Sequence, residues 1–308
     1  MMTLEQLRIF VEVAERQHLT QAAAALCLTP SAVSSSIRAL EERYGTPLFD
    51  RVGRRIETNQ AGHIFLAEAR RTLASARAAE LTLAELGSLQ RGALAIHASQ
   101  TIASYWLPPL LVRFRQMYPA VALELRVDNT EKVAEAVMQG EADLGFVEGG
   151  VDEGKLEMTP VGEDRLVIVV GPQHPWADGR PLDKEALLGA RWIMREAGSG
   201  TRSAFEGALA ALDIPSQALM VALALPSNEA VRSAIMAGTF AGALSELVVA
   251  SHLEARLLVQ ARLALPVRSF TMLRHAERHQ SRAAASFVAM AHGVTSLRGE
   301  PAEQRRAM

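Results

Sequence analysis

The sequence predicts an α+β fold in three successive parts: an N-terminal winged helix-turn-helix, one long helix, and an α/β region of two lobes. The first sixty residues combine helix-capping residues, helical spacing of apolar residues and an arginine-rich turn. The next thirty carry an imperfect helical apolar stripe, which is interrupted at Glu80. From Gly92 onward, short apolar runs alternate with amphipathic segments, which is typical of α/β architecture.

These changes of pattern place the predicted domain boundaries. We expect a winged helix-turn-helix over residues 1–59, a linker helix over 60–90, a two-lobed domain over 91–297 and a tail over 298–308. Within the two-lobed domain, lobe one is predicted at about 91–163 and 267–297, and lobe two at about 164–266.

Composition excludes several classes of protein. The 308 residues carry a formal net charge of −2, so any contact with nucleic acid must come from a local basic patch. The single cysteine, Cys27, excludes an intramolecular disulfide and indicates a reducing compartment. No basic segment precedes an apolar stretch at the N-terminus, and apolar runs such as 166–170 are too short to span a bilayer. We therefore expect a cytoplasmic protein with no membrane contact.

Three helices are predicted at the start of the chain. Thr3 and Gln6 form a capping box for a helix that begins near Leu4. Thr20 is expected to start a second helix, and the alanine run that follows is small enough for close helix contact. Thr29 opens a third helix with Pro30 at its first position, where the missing N–H costs nothing.

The third helix has one apolar face and one polar face. Val33, Ile37, Leu40 and Tyr44 form a stripe that should pack on the first two helices. The polar face is short and carries one long cation, so it can approach phosphates and base edges. Its candidate DNA contacts, with the residues that open the helix, are Thr29, Pro30, Ser31, Ser34, Ser35 and Arg38. The alternative is an ordinary amphipathic helix with a solvated face.

A glycine-centred turn follows the third helix. Gly53 is flanked by Arg51, Arg54 and Arg55, which predicts a β-hairpin wing that presents cations. Three arginines beside a polar helix suit contacts with phosphates and the minor groove. A merely solvated basic turn is the alternative.

A long helix is predicted next, because Asn59 is a good N-cap and helical spacing continues over 60–90. Such a helix is about 45 Å long. Its apolar stripe has no obvious partner in the same chain, so we expect it to pair with its copy in a dimer. The alternative is packing onto a globular core. The stripe comprises Leu66, Ala69, Leu73, Ala76, Leu83 and Leu86.

The remaining two hundred residues alternate strands and helices in two similar series. We predict largely parallel strands at 93–98, 121–127, 144–147, 166–170, 192–195, 221–225, 243–244 and 267–273. Predicted helices cover 105–117, 130–138 and 281–293, with others starting at about Gly200 and Asn228. Two similar series suggest two lobes with a cleft between them.

Two strand-to-helix junctions predict an anion site. Ser99 and Thr101 lie at one junction, and Ser199 and Thr201 lie at the other. Both place hydroxyls and free backbone N–H groups at a helix N-terminus, which carries partial positive charge. Because ligands of open α/β sheets bind at the carboxyl ends of strands, we expect a small anion between the lobes. The alternative is that these hydroxyls only cap their own helices.

The sequence resembles a known protein family over most of its length. Residues 7–73 resemble the winged helix-turn-helix and linker helix of LysR-type transcriptional regulators, and the motifs over 102–119, 140–145 and 227–231 resemble their effector domain. The matching residues in the first segment include Phe10, Ala22, Ala23, Leu26, Ser31, Ala32, Val33, Ser34, Ile37, Leu40, Glu41, Gly45, Pro47, Leu48, Phe49, Arg51, Ala61 and Gly62.

The resemblance implies an effector domain like the periplasmic ligand-binding proteins, with two lobes joined by crossing strands. It implies a site formed in lobe one by Ser99, Gln100, Thr101, Asn129 and Thr130, and in lobe two by Gly198, Ser199, Thr201 and Asn228. Residues 195–202 resemble the branch that regulates carbon fixation and sulfur-anion metabolism.

The same resemblance implies the partners: double-stranded DNA, a small and anionic effector with no other cofactor, and RNA polymerase. It also implies a homodimer or a homotetramer built as a dimer of dimers. Two positions depart from the family pattern. Asn59 stands where the family usually has threonine, and because asparagine is an equally good N-cap, the linker helix should still form. Ser35 stands where many members carry a long side chain, which leaves Arg38 as the main candidate for base contacts.

An enzyme and a free solute-binding protein are the two alternative functional classes. An enzyme is disfavoured because the chain has no phosphate-binding loop, nucleophile elbow, HExxH or CxxC spacing. Glu196 could act as a base but has no evident partner, and the His275 and His279 pair has no evident third metal ligand. No catalytic or metal-binding residue is therefore predicted. A free solute-binding protein does not fit a chain with a DNA-reading head and no export signal.

Overall fold

Capping residues set the ends of the first three helices in the computed structural model, which describes residues 1–52, 55–86, 92–151 and 154–298. These helices are α1 (Leu4–Arg16), α2 (Leu19–Ala25) and α3 (Pro30–Tyr44). The capping box before α1 and the Thr29 cap before α3 are both present, as predicted. The predicted start of α2 was one residue late, because His18 is the N-cap and its side chain accepts from the backbone N–H of Gln21.

The helix-turn-helix is built around a small apolar core. The axes of α2 and α3 differ by 107°, within the range of helix-turn-helix motifs. Phe10, Val33, Ile37 and Leu40 are buried in this core. Tyr44 is 56% exposed, so its predicted burial was wrong. It is the last residue of α3, where Gly45 turns the chain with a φ of 62°.

A two-stranded hairpin and a long helix complete the first unit. Strands β1 (Phe49–Val52) and β2 (Arg55–Thr58) pair antiparallel, as expected for a wing. Asn59 then caps α4 (Gln60–Leu86), accepting a 2.9 Å hydrogen bond from the backbone N–H of Gly62. A Cβ on Gly62 would lie 2.2 Å from the carbonyl oxygen of Leu48, so glycine permits this close packing of helix and wing.

The apolar stripe of α4 corrects one expectation. Ala69 is buried in the core of the helix-turn-helix, and Leu66 and Leu73 pack against that core. The first half of the stripe therefore has a partner in its own chain, contrary to prediction. Ala76 is half-buried, and the side chains of Leu83 and Leu86 lie outside the described residues.

The chain divides into two compact units, Met1–Ser88 with Gln139–Glu141, and Leu89–Met138 with Ala142–Met308. The finer predicted boundaries stay predictions. The strands of the second unit are β3 (Gly92–Ser99), β4 (Val121–Asp128), β5 (Leu144–Glu148), β6 (Leu156–Val170), β7 (Arg191–Arg195), β8 (Met220–Leu225), β9 (Ala241–Ser245), β10 (Val259–Gln260) and β11 (Val267–His275). Its helices are α5 (Leu107–Met117), α6 (Thr130–Gln139), α7 (Lys184–Gly189), α8 (Gly200–Ala210), α9 (Asn228–Met236), α10 (Glu246–Glu254) and α11 (Arg282–Arg298).

One sheet contains these nine strands, eight of them in the order β4-β3-β5-β11-β6-β9-β7-β8, and β10 pairs with β6 outside this order. Its two ends have the same topology: β3-α5-β4-α6-β5 forms lobe one and β7-α8-β8-α9-β9 forms lobe two, each with parallel strands. Between them, β6 and β11 run antiparallel to each other and to their neighbours. The predicted strand at 166–170 is only the last third of β6, and β6 and β11 are antiparallel to their neighbours, so the sheet is mixed rather than largely parallel.

Each lobe has apolar packing on both faces of its sheet. In lobe one, Phe114, Phe146 and Phe287 lie in one cluster, while Val133 on α6 belongs to a second. In lobe two, Trp192 lies in one cluster, and residues of α9 and α10 form the other. Cover on both faces explains the nearly continuous apolar sequences of the inner strands β3, β5, β7 and β9, whereas β4 and β8 at the ends of the sheet are mostly exposed.

The helices were also compared with the length of a bilayer. Among the described residues, no single helix is long and apolar enough to cross a membrane. Only α2 and α3 taken together meet the length and composition criteria, and the 107° bend between them belongs to the helix-turn-helix.

Candidate functional site

The candidate DNA-binding face is formed by the exposed side of α3. Ser31, Ser35 and Arg38 are exposed, and Ser34 is half-buried. The Thr29 hydroxyl accepts a 3.2 Å hydrogen bond from the backbone N–H of Ala32 and lies 3.0 Å from the Ser31 hydroxyl. The helix therefore presents small polar groups at its N-terminal end and one guanidinium about two turns further on, with Pro30 at its first position.

The half-buried carboxylate of Glu41 connects the wing to this helix. Glu41 on α3 accepts hydrogen bonds of 2.7 Å and 3.3 Å from the backbone N–H groups of Leu48 and Phe49, at the start of β1. This contact fixes where the hairpin leaves the helix-turn-helix. Arg51 is exposed on β1. Arg54 and the side chain of Arg55 lie outside the described residues.

In the second unit, four helical segments begin where four parallel strands end. Helices α5 and α6 follow the carboxyl ends of β3 and β4, and α8 and α9 follow those of β7 and β8. A π-helical turn, Ile102–Trp106, lies between β3 and α5, so the helical segment begins earlier than predicted. Each strand order places a switch point between the first and third strands of its lobe, where open α/β sheets bind ligands.

The predicted hydroxyls do not cap their own helices. Ser99 and Thr201 both donate to the carboxylate of Glu148, and the bond from Thr201 is 3.4 Å long. Ser199 occupies the N-cap position of α8 without a side-chain cap hydrogen bond. Because Ser99 and Glu148 belong to lobe one and Thr201 to lobe two, this carboxylate joins the lobes.

Asn228, at the start of α9, forms a second connection between the lobes. Its backbone N–H donates to Gln100 Oε1 at 2.7 Å, and its Nδ2 donates to the Thr101 hydroxyl at 3.1 Å. Its Oδ1 accepts from Arg195 Nη1 at 2.7 Å. Gln100 also donates to the carboxylate of Glu229 at 2.8 Å. The predicted residues of both lobes are therefore in direct contact.

Gly198 and Asn129 form the third connection. The Gly198 carbonyl accepts from the backbone N–H of Glu131 at 3.2 Å. Gly198 has a φ of 80°, and a Cβ there would lie 2.5 Å from a carboxylate oxygen of Glu131. Burial alone would raise the pKa of Glu196, but hydrogen bonds and the charge of Arg195, with a hydrogen bond from Asn129, hold that pKa below its usual 4.5.

The lobes also approach each other closely at Gly200. A Cβ on Gly200 would lie 1.7 Å from the carbonyl oxygen of Glu148 and 2.4 Å from the Thr130 hydroxyl oxygen. Thr130 itself donates to that carbonyl at 2.8 Å. Eight of the nine predicted effector residues thus have contacts at the meeting point of the two lobes, which are closed on each other in this structure, and the ninth, Ser199, is buried at the N-cap of α8.

Sequence reasoning missed the charged residues of this region. Arg268 on β11 donates to Asp164 on β6 at 2.6 Å and 2.8 Å, and to the Thr201 hydroxyl at 3.3 Å. Ser245 also donates to Asp164, at 2.7 Å. Glu148, Asp164 and Arg268 are all at least 90% buried. Their only sequence signal is a charge inside or directly after an apolar strand, which exposed strand ends share.

The sequence was then compared with known proteins. Residues 4–63 match the family model of the bacterial regulatory helix-turn-helix proteins of the lysR family, and residues 87–296 match that of the LysR substrate binding domain. The HTH-type transcriptional regulator YeiE of Escherichia coli (strain K12) is 36% identical over 288 residues, covering 93% of this chain and 96% of that protein. The probable RuBisCO transcriptional regulator of Cyanidioschyzon merolae is 33% identical, with coverages of 92% and 96%.

Solved structures have the same fold. The LysR family transcriptional regulator CbnR, crystallised with its target DNA, matches with a TM-score of 0.67 and 21% identity, covering 95% of this chain and 99% of that one. The regulatory domain of Synechocystis PCC6803 CcmR in complex with 2-PG matches with a TM-score of 0.61 and 28% identity, covering 67% of this chain and 98% of that one. The chain belongs to the LysR family of DNA-binding transcriptional regulators.

Proposed function

We propose that this regulator reads double-stranded DNA with α3 and the wing, and that a small anion held between the two lobes controls it. The observation that carries the proposal is that the four helical segments after β3, β4, β7 and β8 begin where the lobes meet, beside the buried guanidiniums of Arg195 and Arg268. The regulator is expected to work in the cytoplasm, as a transcription factor acting on chromosomal DNA.

The DNA-binding part of the proposal rests on exposure and size. Ser31 and Ser35 let the backbone of α3 approach the major groove, and Arg38 can reach a guanine edge or a phosphate. Arg51 on β1 is an exposed cation of the wing, suited to the DNA backbone. Because the chain has a net charge of −2, these local cations must supply the attraction.

Self-association is proposed through the second half of α4. The first half of the apolar stripe is used by the helix-turn-helix core of the same chain, which leaves Ala76, Leu83 and Leu86 as the candidate contacts with a second copy. Paired heads read two half-sites, and a dimer of dimers would read more. Contact with RNA polymerase is a further expectation for such a regulator.

The anion part of the proposal rests on electrostatics. Helix N-termini carry unsatisfied N–H donors and partial positive charge, and here they come from both lobes. Two buried arginines add fixed positive charge, although each is paired with a carboxylate, Arg195 with Glu196 and Arg268 with Asp164. A second support is the CcmR regulatory domain, which was solved in complex with 2-PG.

Control of DNA binding follows from coupling between two states. An anion that contacts both lobes stabilises the closed arrangement over any open one, and it can shift the population only by its difference in affinity for the two. If the closed arrangement changes how paired DNA heads are held, anion binding alters affinity for DNA. Linkage then requires that DNA alters affinity for the anion by the same factor.

Thr201 provides the test, because its hydroxyl joins Glu148 of lobe one to Arg268 of a crossing strand. Thermal unfolding of the full-length protein is followed while inorganic phosphate is added, with chloride at equal ionic strength as the reference. At 100 times the dissociation constant, phosphate should stabilise by about 2.7 kcal/mol, which corresponds to a rise in Tm of about 5–10 °C.

Two variants separate the hydroxyl from the fold. Thr201→Val should lose this phosphate response, whereas Thr201→Ser should keep it because the hydroxyl remains. Thr72→Val, on the exposed surface of α4, is the matched control. A full response in Thr201→Val would place the anion elsewhere, and no response in the unmodified protein would contradict an anion site that accepts phosphate.

A further inference from the structure

The carboxylate of Glu148 lies where the lobes meet, and its position bears on which anions the proposed site can bind. We propose that Glu148 is a specificity-determining residue, which admits anions that carry an O–H donor and rejects anions that carry none. The inference rests on the proposed anion site and names the chemical class of its ligand. Its basis is the position, the burial and the remaining hydrogen-bonding capacity of this one side chain.

The position of Glu148 is at the carboxyl end of β5, the third strand of lobe one. Together with the end of β3, this strand end forms the switch point where a ligand of such a sheet binds. Ser99, at the end of β3, donates to the Glu148 carboxylate, and Thr201 donates to it from α8 of lobe two. Any ligand that contacts these predicted effector residues therefore also meets the carboxylate.

The burial of Glu148 makes its charge effective. The residue is only 1% exposed, so water screens its charge far less than at a surface. The Arg268 guanidinium donates to the Thr201 hydroxyl and is paired with the carboxylate of Asp164. Its positive charge is therefore balanced by Asp164 and not by Glu148. A fully deprotonated anion brought between the lobes would face a buried like charge, which disfavours its binding.

Hydrogen-bonding capacity sets the requirement on the ligand. An ionised carboxylate accepts hydrogen bonds at about four lone-pair positions and donates none. Ser99 and Thr201 use one proton each, and each hydroxyl has only one proton to give. The carboxylate can therefore accept a further hydrogen bond from an O–H group of a ligand, whereas these two hydroxyls have no second proton with which to bind a ligand oxygen. An anion with an O–H group donates a hydrogen bond to the Glu148 carboxylate. An anion without an O–H group places its own acceptor oxygens against the carboxylate oxygens, and no hydrogen bond can form between them.

Phosphate and sulfate test this inference, because they have nearly the same size and shape. Near neutral pH, inorganic phosphate carries at least one proton and sulfate carries none. Affinities of the full-length protein for both are measured by calorimetry at matched ionic strength. We expect phosphate to bind at least about 100-fold tighter than sulfate, because a site built to accept a hydrogen bond strongly rejects the ligand that lacks it.

Glu148→Gln removes the charge, keeps the shape and supplies an N–H donor. In this variant the preference for phosphate should fall to less than about threefold, mainly through tighter binding of sulfate. Glu163→Gln, at an exposed position of β6, is the control with the same change of charge and should keep the full preference. The melting curve of each variant, measured without anion, reports whether it is folded.

The outcomes separate this inference from the proposed function. Equal or tighter binding of sulfate by the unmodified protein would overturn the inference while leaving an anion site in place. A preference that survives in folded Glu148→Gln would also overturn it, because selectivity would then come from other groups. Binding of neither anion by either protein would overturn the proposed anion site, and the inference with it. If Glu148→Gln does not fold, the selectivity of the unmodified protein still decides.

Discussion

Replacing Gly200 by alanine should hold the two lobes apart without damaging either of them. The new Cβ would lie 1.7 Å from the Glu148 carbonyl oxygen and 2.4 Å from the Thr130 hydroxyl oxygen. Real Cβ atoms essentially never approach closer than 3.0 Å, so the carbonyl and the new methyl group must separate by at least 1.3 Å. The obstacle is backbone of β5, which cannot rotate away as a flexible side chain could.

The energetic size of this change follows from overpacking. A methyl group inserted into a well-packed contact costs about 1–3 kcal/mol, so the closed arrangement should become about 5- to 150-fold less populated relative to an open one. The separation also lengthens the contacts from Thr201 to Glu148 and from Asn228 to Gln100. Each such hydrogen bond contributes about 0.5–1.5 kcal/mol, so the estimate is a lower bound if both are lost.

Two measurements report the change. Phosphate affinity by calorimetry should fall by the same factor of about 5–150, because the anion must then close the lobes against the methyl group. The Tm without anion should fall by about 2–4 °C for each kcal/mol lost. Gly207→Ala is the matched control, since it lies in the same helix, α8, with nothing within 4 Å of its new Cβ. Unchanged affinity and Tm in Gly200→Ala would refute the closed contact.

Three further predictions address other parts of the chain. Arg38→Ala should reduce the preference for specific over random DNA by about 1–3 kcal/mol if Arg38 reads a base; an equal loss on both DNAs, by electrophoretic mobility shift, would make it a phosphate contact. Leu83→Asp should turn dimers into monomers in sedimentation velocity, and an unchanged mass would move the interface away from the end of α4. Burial, then the charge of Arg126, lowers the pKa of His97 below 6.5, so its contribution to stability is present above pH 6.5 and is lost as the pH falls below it. In His97→Gln the Tm should therefore drop less between pH 7 and pH 5, and an equal drop would contradict this.

The parts that sequence predicted best are those with local causes. Thr3, Thr29 and Asn59 cap their helices as expected, because a cap is determined by residues within one turn. The meeting of Ser99 and Thr201 was also predictable, because strand order and helix N-termini bring them to the same edges of the two lobes.

The parts that sequence missed depend on distant contacts. Residues 156–165 of β6 have an irregular apolar pattern, since they pair antiparallel with β11 between the lobes and their exposure varies along the strand. Leu66 and Leu73 have the spacing of a dimer stripe, but their partner is the core of their own chain, and spacing cannot distinguish the two. Glu148, Asp164 and Arg268 are recognisable as site residues only once their burial and partners are seen.

Anion-controlled reading of DNA is tested most directly by a DNase footprint of the purified protein on DNA upstream of its own gene, at fixed salt. We expect protection over several helical turns with a two-fold repeat, because paired helix-turn-helix heads read paired half-sites. Inorganic phosphate should change the protected pattern, and Thr201→Val should give the same footprint but no change with phosphate. Salt-sensitive binding without any protected region, with and without phosphate, would show that the protein is not an anion-controlled, sequence-specific regulator at this DNA.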